Sequence, residues 1–411
     1  MPVTSNKPLD GLRVVGLTHV AAGPFALSML ADFGADVVNV ESLDGDNMRS
    51  RDGAFANSSA YFYGVNRNKR SLACDLKTPA GRKIMDQLLA RADVFAHNLT
   101  IPAMQRLKLD YESLRESLPR LIYCEISAWG SRGPDRDRLG MDVLAQARSG
   151  IMGITGHPGA GPAKVPVPIT DLATAMLSVT GILLALQARA RDGLGQKVET
   201  SLLQSSIALT ANLIPYYFAT GRPTAPLGSA HPQIAPYQAF PASDGYIVIA
   251  CLTQRFWLRF CEALKLDRLT ADPRFEATES RVKNRTELEA IITEETRKRP
   301  RAELASVLDQ FGVPNGPVAT LKDVLADPQV AANHMIEPVF EAADQVRVPV
   351  VGVPIKLSRT PGALEFGASA LGEHSRAVLS ELGYSEAEIA GLVAQSIIAE
   401  PGIAEPKQAT R

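Results

Sequence analysis

The chain has 411 residues, 45% of them hydrophobic and 21% charged, with a formal net charge of −1. That length exceeds most single cores and predicts two domains, and the composition is that of a folded globular protein rather than a disordered one. Near-neutral charge without a dense basic block excludes nucleic acid or an anionic membrane as the main partner; a small anionic ligand needs only a few well-placed basic groups and stays open.

Met1 to Leu9 is polar and lacks the basic start, apolar centre and small-residue cleavage site of a signal peptide, so a cytoplasmic protein is expected. Arg13-Val14-Val15-Gly16-Leu17 reads as a short strand, Gly23 to Phe33 as a helix and Ala35 to Glu41 as the next strand. Strand, helix, strand at this spacing is a βαβ unit and predicts a parallel sheet. The pattern repeats through a strand at Ser71 to Leu76, a helix at Pro79 to Ala92, a strand at Asp93 to His97, a helix at Pro102 to Leu107 and a strand at Leu121 to Ile126. The expected fold is α/β, a Rossmann-like parallel sheet. Its first turn, Thr18 to Pro24, is not GxGxxG, which argues against a nicotinamide or flavin cofactor.

Asn66-Arg67-Asn68-Lys69-Arg70-Ser71 reads as a solvated surface cluster, with a phosphate contact for a nucleotide-bearing ligand as the alternative. Leu172 to Ala190 is apolar enough to suggest a membrane span, but Thr174, Ser178, Thr180 and Gln187 point to a buried core helix. A second apolar helix is expected around Ser201 to Phe218, then a linker at Thr220 to Ser229. The domain bounds are a large domain over 1–219, a linker over 220–229 and a smaller α+β domain over 230–317. Residues 318–400 return to the large domain, and 401–411 form a tail. Cys74, Cys124, Cys251 and Cys261 are scattered without a CxxC pair and read as small buried hydrophobes. The six histidines form no HxH or HxxxH pair, so no metal is expected.

Asp171 is the residue on which function turns. It opens the long apolar helix, downstream of Gly150-Ile151-Met152-Gly153, with no cation closer in sequence than Lys164. Local sequence favours a helix cap, worth about 0.5–2 kcal/mol. The rival is a carboxylate nucleophile beside helix-start amides, whose dipole stabilises anions during acyl transfer. Spacing does not separate the two. His19 to Pro24 is a small-residue loop at the end of the first strand, where parallel sheets bind ligands.

Gly11-Leu12-Arg13-Val14-Val15, Ala22-Gly23-Pro24, Leu30 to Val38, Asn68-Lys69-Arg70-Ser71, Met141 to Ala147, Gly193-Leu194-Gly195-Gln196, Ala235-Pro236-Tyr237 and Leu371-Gly372-Glu373-His374 together resemble the class III (family III) CoA-transferases. That superfamily includes formyl-CoA transferase and L-carnitine CoA-transferase. The resemblance runs in order from about residue 8 to about residue 395. It implies that Asp171 is the catalytic aspartate, attacking an acyl-CoA to form an aspartyl anhydride and then an aspartyl-CoA thioester. It further implies that His19, Val20, Ala21, Ala22, Cys74, Lys77, Asn98, Leu99, Arg106 and Met141 contact CoA, and that a lid lies near Gly228 to Gln233. Coenzyme A or acyl-CoA enters as a cosubstrate, with no permanently bound cofactor; the other partners are small carboxylic acids and a second copy in an interlocked homodimer of ring-like subunits. Succinyl-CoA is the expected donor. His97 and Leu99 stand where family members carry Glu and Phe, and Ser42 stands where an Arg is frequent. Acyl-CoA epimerisation on the same fold is the alternative activity, but racemase-like members carry a proton-transfer histidine where this chain has Met141, which cannot exchange a proton. A non-catalytic CoA-binding protein is the third reading, and it has no use for an unpaired acid beside a thioester.

Overall fold

The computed structural model describes residues 7–51, 59–341 and 346–401. Two compact units emerge: 1–150 with 165–211 and 329–411, and 151–164 with 212–328.

The larger unit is built on strands β1 (Arg13–Leu17), β2 (Asp36–Glu41), β3 (Arg70–Cys74), β4 (Val94–His97), β5 (Ile122–Ser127) and β6 (Lys197–Ser201). They lie parallel in the order β3-β2-β1-β4-β5-β6, and the short strand Ile398–Ala399 adds antiparallel to β3 at the edge. Successive side chains point to opposite faces of a strand. Here both faces are apolar: Val15, Leu17, Val38, Leu72 and Phe95 pack on one side, Val14, Val37, Val94 and Ile122 on the other. Helices Pro79–Arg91, Ser375–Leu382 and Glu386–Ala394 supply Ile84, Met85, Val378 and Ile389 to the first side. Helices Ala22–Asp32 and Ile169–Asp192 supply Ala26, Leu27, Ala175 and Ile182 to the second. This is a mixed α/β unit whose main sheet is parallel in all but one edge pairing.

The long helix Ile169–Asp192 ends where Gly193 takes the left-handed conformation (φ 79°) that a side chain resists. Its buried positions, Thr170, Asp171, Thr174, Ala175, Ser178, Val179, Ile182 and Ala185, recur at three- and four-residue spacing. The opposite face is apolar yet exposed, with Met176, Leu177, Leu183 and Leu184 at 50, 43, 42 and 67% exposure. The expectation of a buried core helix therefore holds for one face only. Ser178 Oγ meets Thr200 Oγ1 at 2.7 Å, while Arg189 donates to the carbonyls of Asp93 and Arg120, just ahead of β4 and β5. The helix thus runs antiparallel to the strands, and its N-terminus emerges at the C-terminal edge of the sheet.

The basic cluster is neither surface nor phosphate contact. Arg67, Asn68 and Lys69 are 2, 7 and 3% exposed. Arg67 Nη2 and Nε reach Asp32 Oδ2 and Oδ1 at 2.7 and 3.0 Å, and Asn68 Nδ2 donates to the same carboxylate. Lys69 donates to the carbonyls of Pro24 and Val65 and to Asn66 Oδ1, and burial pushes its amine down to about 7. Arg70 bridges Asp36 and Glu381. Local sequence displayed the cations; their partners lie far away along the chain.

The smaller unit carries a three-stranded antiparallel sheet, Tyr237–Ala242, Gly245–Ala250 and Asn315–Pro317. Its helices close a core of Phe240, Trp257, Phe260, Phe275, Ile292, Leu304 and Leu308. Residues 201–218 form two helices, Leu202–Ala208 and Leu213–Thr220, rather than one. All four cysteines are buried and free.

Burial raises the Asp32 carboxyl against the pull of Arg67, so the pair is more costly to break than it is useful to form. Arg67→Ala strands a buried carboxylate and is expected to cost about 3–5 kcal/mol of stability. The double change Asp32→Leu with Arg67→Met should cost less than that. Denaturation of the wild type and both variants checks it, and a loss below about 1 kcal/mol for Arg67→Ala would show the pair to be an incidental contact.

Candidate active site

Asp171 is not a cap. Pro168 occupies the cap position without a side-chain hydrogen bond, and Asp171 lies two residues inside the helix start, 9% exposed. Among the described residues none donates a hydrogen bond to its carboxylate. Burial, and then the negative charge of Asp142, push its pKa from the ordinary 3.8 to about 7. A shift of that size corresponds to about 4 kcal/mol of penalty on the charged form. A helix dipole contributes about 0.3–1 kcal/mol to a carboxylate in the first turn, too little to offset it.

Something must hold that group in place, and Asp142 does. It opens the helix Asp142–Arg148, and its Oδ1 accepts from Thr170 N at 2.9 Å and Thr170 Oγ1 at 2.7 Å. Gln146 Nε2 donates to Asp142 Oδ2 at 2.6 Å, and Gln146 Oε1 accepts from Val165 N. The first turn of the long helix is thereby tied to a neighbouring helix one residue before Asp171, so the same carboxylate fixes Asp171 and repels its charge. Tyr61 faces this group. It sits in the helix Ala60–Val65, capped by Ser59, and burial with the charges of Asp171, Asp142 and Asp46 raises its phenol to about 12. Tyr61 is thus a neutral hydroxyl at physiological pH, able to donate to an anion. Its sequence signal, one aromatic among three near Phe62 and Tyr63, is indistinguishable from core.

The loop after β1 is held at both ends. Asn98 Oδ1 accepts from His19 N at 2.9 Å and Asn98 Nδ2 donates to His19 O at 2.7 Å. Val20 then takes a left-handed conformation, φ 66°, with its N–H donated to Asp46 Oδ2 at 2.8 Å. That conformation costs a β-branched residue about 1–2 kcal/mol. A hydrogen bond to a charged acceptor contributes about 1.5–3 kcal/mol, so the bond wins. Ala21 and Ala22 are 1 and 4% exposed, and only their backbone is placed to meet a ligand. Gly23 is small for a reason internal to the protein: a Cβ there would stand 2.7 Å from Thr18 Cγ2 and 3.3 Å from Asn98 Cγ. Burial lowers the His19 ring's pKa against the attraction of Asp46 and a hydrogen bond to Asn98.

Two adjoining clefts open at the C-terminal edge of the sheet. The first, about 590 Å³, is lined by Thr18, His19, Ser42, Asp46, Cys74 and Leu99 among others. The second, about 720 Å³, is lined by Lys77, Arg82, Arg106 and Lys108 with no acid, and it shares Leu76, Lys77 and Leu107 with the first. Cys74 is 1% exposed, and burial raises its thiol to about 12, so it serves as an apolar wall. Asn98 is occupied with His19 rather than aimed into a cleft. His97 lies beneath the cleft, fully buried, with Nε2 2.9 Å from Tyr123 Oη, and burial pushes it down to about 3. Met141 precedes Asp142 and is 68% exposed, lining neither cleft; its thioether has no proton to exchange. Within the smaller unit, Gly228 N donates to Gly156 O and Arg285 donates to His231 O, anchoring the stretch expected to act as a lid.

The chain is similar to known proteins over most of its length. Residues 9–375 match CoA-transferase family III. The succinate–glutarate CoA-transferase of Agrobacterium fabrum is 39% identical over 91% of this chain and 96% of its own length. The succinyl-CoA:mesaconate CoA-transferase of Haloarcula hispanica is 37% identical over 91% of this chain and 96% of its own. A CaiB/BaiF family protein from Brucella suis, of known crystal structure, superposes with a TM-score of 0.83 at 39% identity, covering 92% of this chain and all of that one. The chain belongs to CoA-transferase family III and is a CoA-transferase.

Proposed function

We propose that this enzyme moves CoA between two small carboxylic acids through Asp171 as covalent nucleophile. One observation carries the reading: a carboxylate buried to 9% exposure, without a hydrogen-bond donor among the described residues, in a helix turn clamped by Asp142 at the C-terminal edge of the sheet; Asp171 itself lines neither cleft. An acid so placed is costly to keep unless its reactivity is used.

The steps follow from this arrangement. The Asp171 carboxylate attacks the thioester carbonyl of the donor and expels CoA thiolate, leaving a mixed anhydride. The thiolate attacks the aspartyl carbonyl, the donor acid leaves as a carboxylate, and an aspartyl-CoA thioester remains. The acceptor carboxylate attacks that thioester and expels thiolate, which attacks the acceptor's carbonyl and frees Asp171. No proton is gained or lost, which suits a site whose nearest groups are a carboxylate and a neutral phenol. Desolvation that raises the Asp171 pKa also makes the ionised form a stronger nucleophile, and each step trades one thioester or anhydride for another.

The charge of the clefts orients the cosubstrate. The first carries Glu41, Asp44, Asp46 and Asp75 against Lys77, and so repels phosphates. The second carries four cations and accepts them. The CoA phosphates belong in the second cleft, and the pantetheine arm runs along the first. The relatives are named for succinyl-CoA, glutarate and mesaconate, so succinyl-CoA is the proposed donor and a small dicarboxylate the proposed acceptor. The exposed apolar face of the long helix is proposed to be covered by a second copy in an interlocked homodimer.

Two outcomes test this. With succinyl-CoA and glutarate the enzyme should form glutaryl-CoA, and hydroxylamine added during turnover should leave a hydroxamate on Asp171 detectable by peptide mass spectrometry. Asp171→Ala should lose at least about 10³-fold in kcat. An unmodified Asp171, or a variant that transfers as well as the wild type, would refute the mechanism. Light scattering should give a mass twice the 44.1 kDa of one chain, and a monomer at micromolar concentration would contradict the dimer.

A further inference from the structure

Asp46 belongs to no step of the transfer, yet it lines the first cleft and is only 7% exposed. Its two oxygens do separate work. Oδ2 accepts from Val20 N and Oδ1 accepts from Met48 N at 2.9 Å, while its own amide donates to Glu41 Oε2. Glu41 is in turn locked by Arg49 through Nη2 at 2.7 Å and Nε at 2.8 Å, and Arg49 Nη1 donates to Ser369 O. Asp46 is therefore a fixed point rather than a mobile loop acid. The group it fixes is strained: Val20 is the one β-branched residue with positive φ among the described residues.

We propose that Asp46 is a positioning residue for the acyl-CoA cleft, holding the Val20 amide so that the β1 loop keeps its left-handed turn and presents its backbone to the cosubstrate. The inference rests on the reading of this cleft as the acyl-CoA site. Asn98 holds both sides of His19, but nothing on the loop itself keeps Val20 out of the extended conformation that a branched side chain prefers. Without the Asp46 bond only Asn98, through the His19 carbonyl, still holds the peptide between His19 and Val20, and as that peptide turns the entry to the helix Ala22–Asp32 shifts with it. Charge plays a smaller part, because Asp46 attracts the His19 ring and faces Tyr61. The alternative role, a buried acid that only stabilises the fold, predicts a loss independent of the residue at position 20.

A double-mutant cycle separates the two, read by calorimetric binding of free coenzyme A and by steady-state kinetics on the full-length enzyme. Asp46→Ala is expected to weaken CoA binding and raise the KM for acyl-CoA about tenfold, with kcat changed by less than about threefold. Asp46→Asn keeps an acceptor oxygen for the Val20 amide and should weaken binding less than Asp46→Ala does. Glycine adopts the left-handed turn without strain, so in the Val20→Gly background the Asp46→Ala penalty should shrink to about threefold or less. If Asp46→Ala does not fold, Asp46→Ser replaces it in the same cycle. An equal penalty in both backgrounds, or no penalty in either, overturns the proposal. CoA binding does not involve the Asp171 chemistry, so failure of the nucleophile leaves this result standing. Absence of CoA binding by the wild type would overturn both this proposal and the reading of the cleft.

Discussion

A carboxylate largely screened from water and given no hydrogen bond by the described residues is the constraint around which this molecule is arranged. Asp171 is disfavoured in its charged form by about 4 kcal/mol, a sizeable share of the stability of an ordinary domain. Such a group persists only where surrounding structure over-determines it. The buried face of the long helix packs on the sheet through Ala175, Val179 and Ile182, and Arg189 at its far end is tied to Asp93. Asp142 and Gln146 then clamp the first turn, which opposes unwinding of the helix start and further exposure of Asp171.

The sheet decides where that acid can act. Parallel strands covered on both faces leave one edge free for chemistry, the edge outside their C-termini. The loops after β1, β2, β3 and β4 meet there, and because each follows a rigid strand their side chains have few alternatives. The sorting of charge between the two clefts comes from sequence position too. Glu41, Asp44 and Asp46 follow β2, whereas Lys77 and Arg82 open the helix after β3 and Arg106 closes the one after β4.

Much of the fold was legible because a parallel strand buried on both sides is written as an unbroken apolar run. Arg13–Leu17 and Ile122–Ser127 stand out for that reason. Strand β6, Lys197–Ser201, is half-exposed at the sheet edge, so its Lys, Glu and Thr gave no such run and it went unseen. The basic cluster around Arg67 was misread because charge is visible locally, while Asp32 and Glu381 become partners only after folding. Asp171 was found by position, but sequence could not tell a cap from a residue three places further in. The supports were the least legible part. Asp142, Tyr61 and Asp46 each look like ordinary surface or core residues until the chain brings them to one edge.

The central claim is that the buried Asp171 carboxyl is held in an unfavourable charged state, and thermal unfolding against pH tests it most directly. Its folded pKa, about 7, lies above the ordinary 3.8, so the folded state binds the proton more tightly than the unfolded state does. The penalty is complete above the folded value, diminishes as pH falls through it by about 1.4 kcal/mol per unit, and vanishes below the unfolded value. Asp171→Asn, which does not ionise, should therefore unfold at a higher temperature than the wild type at pH 8, by a margin that narrows steadily towards pH 5. A margin that stays constant with pH, or an Asn variant less stable than the wild type at pH 8, would contradict it.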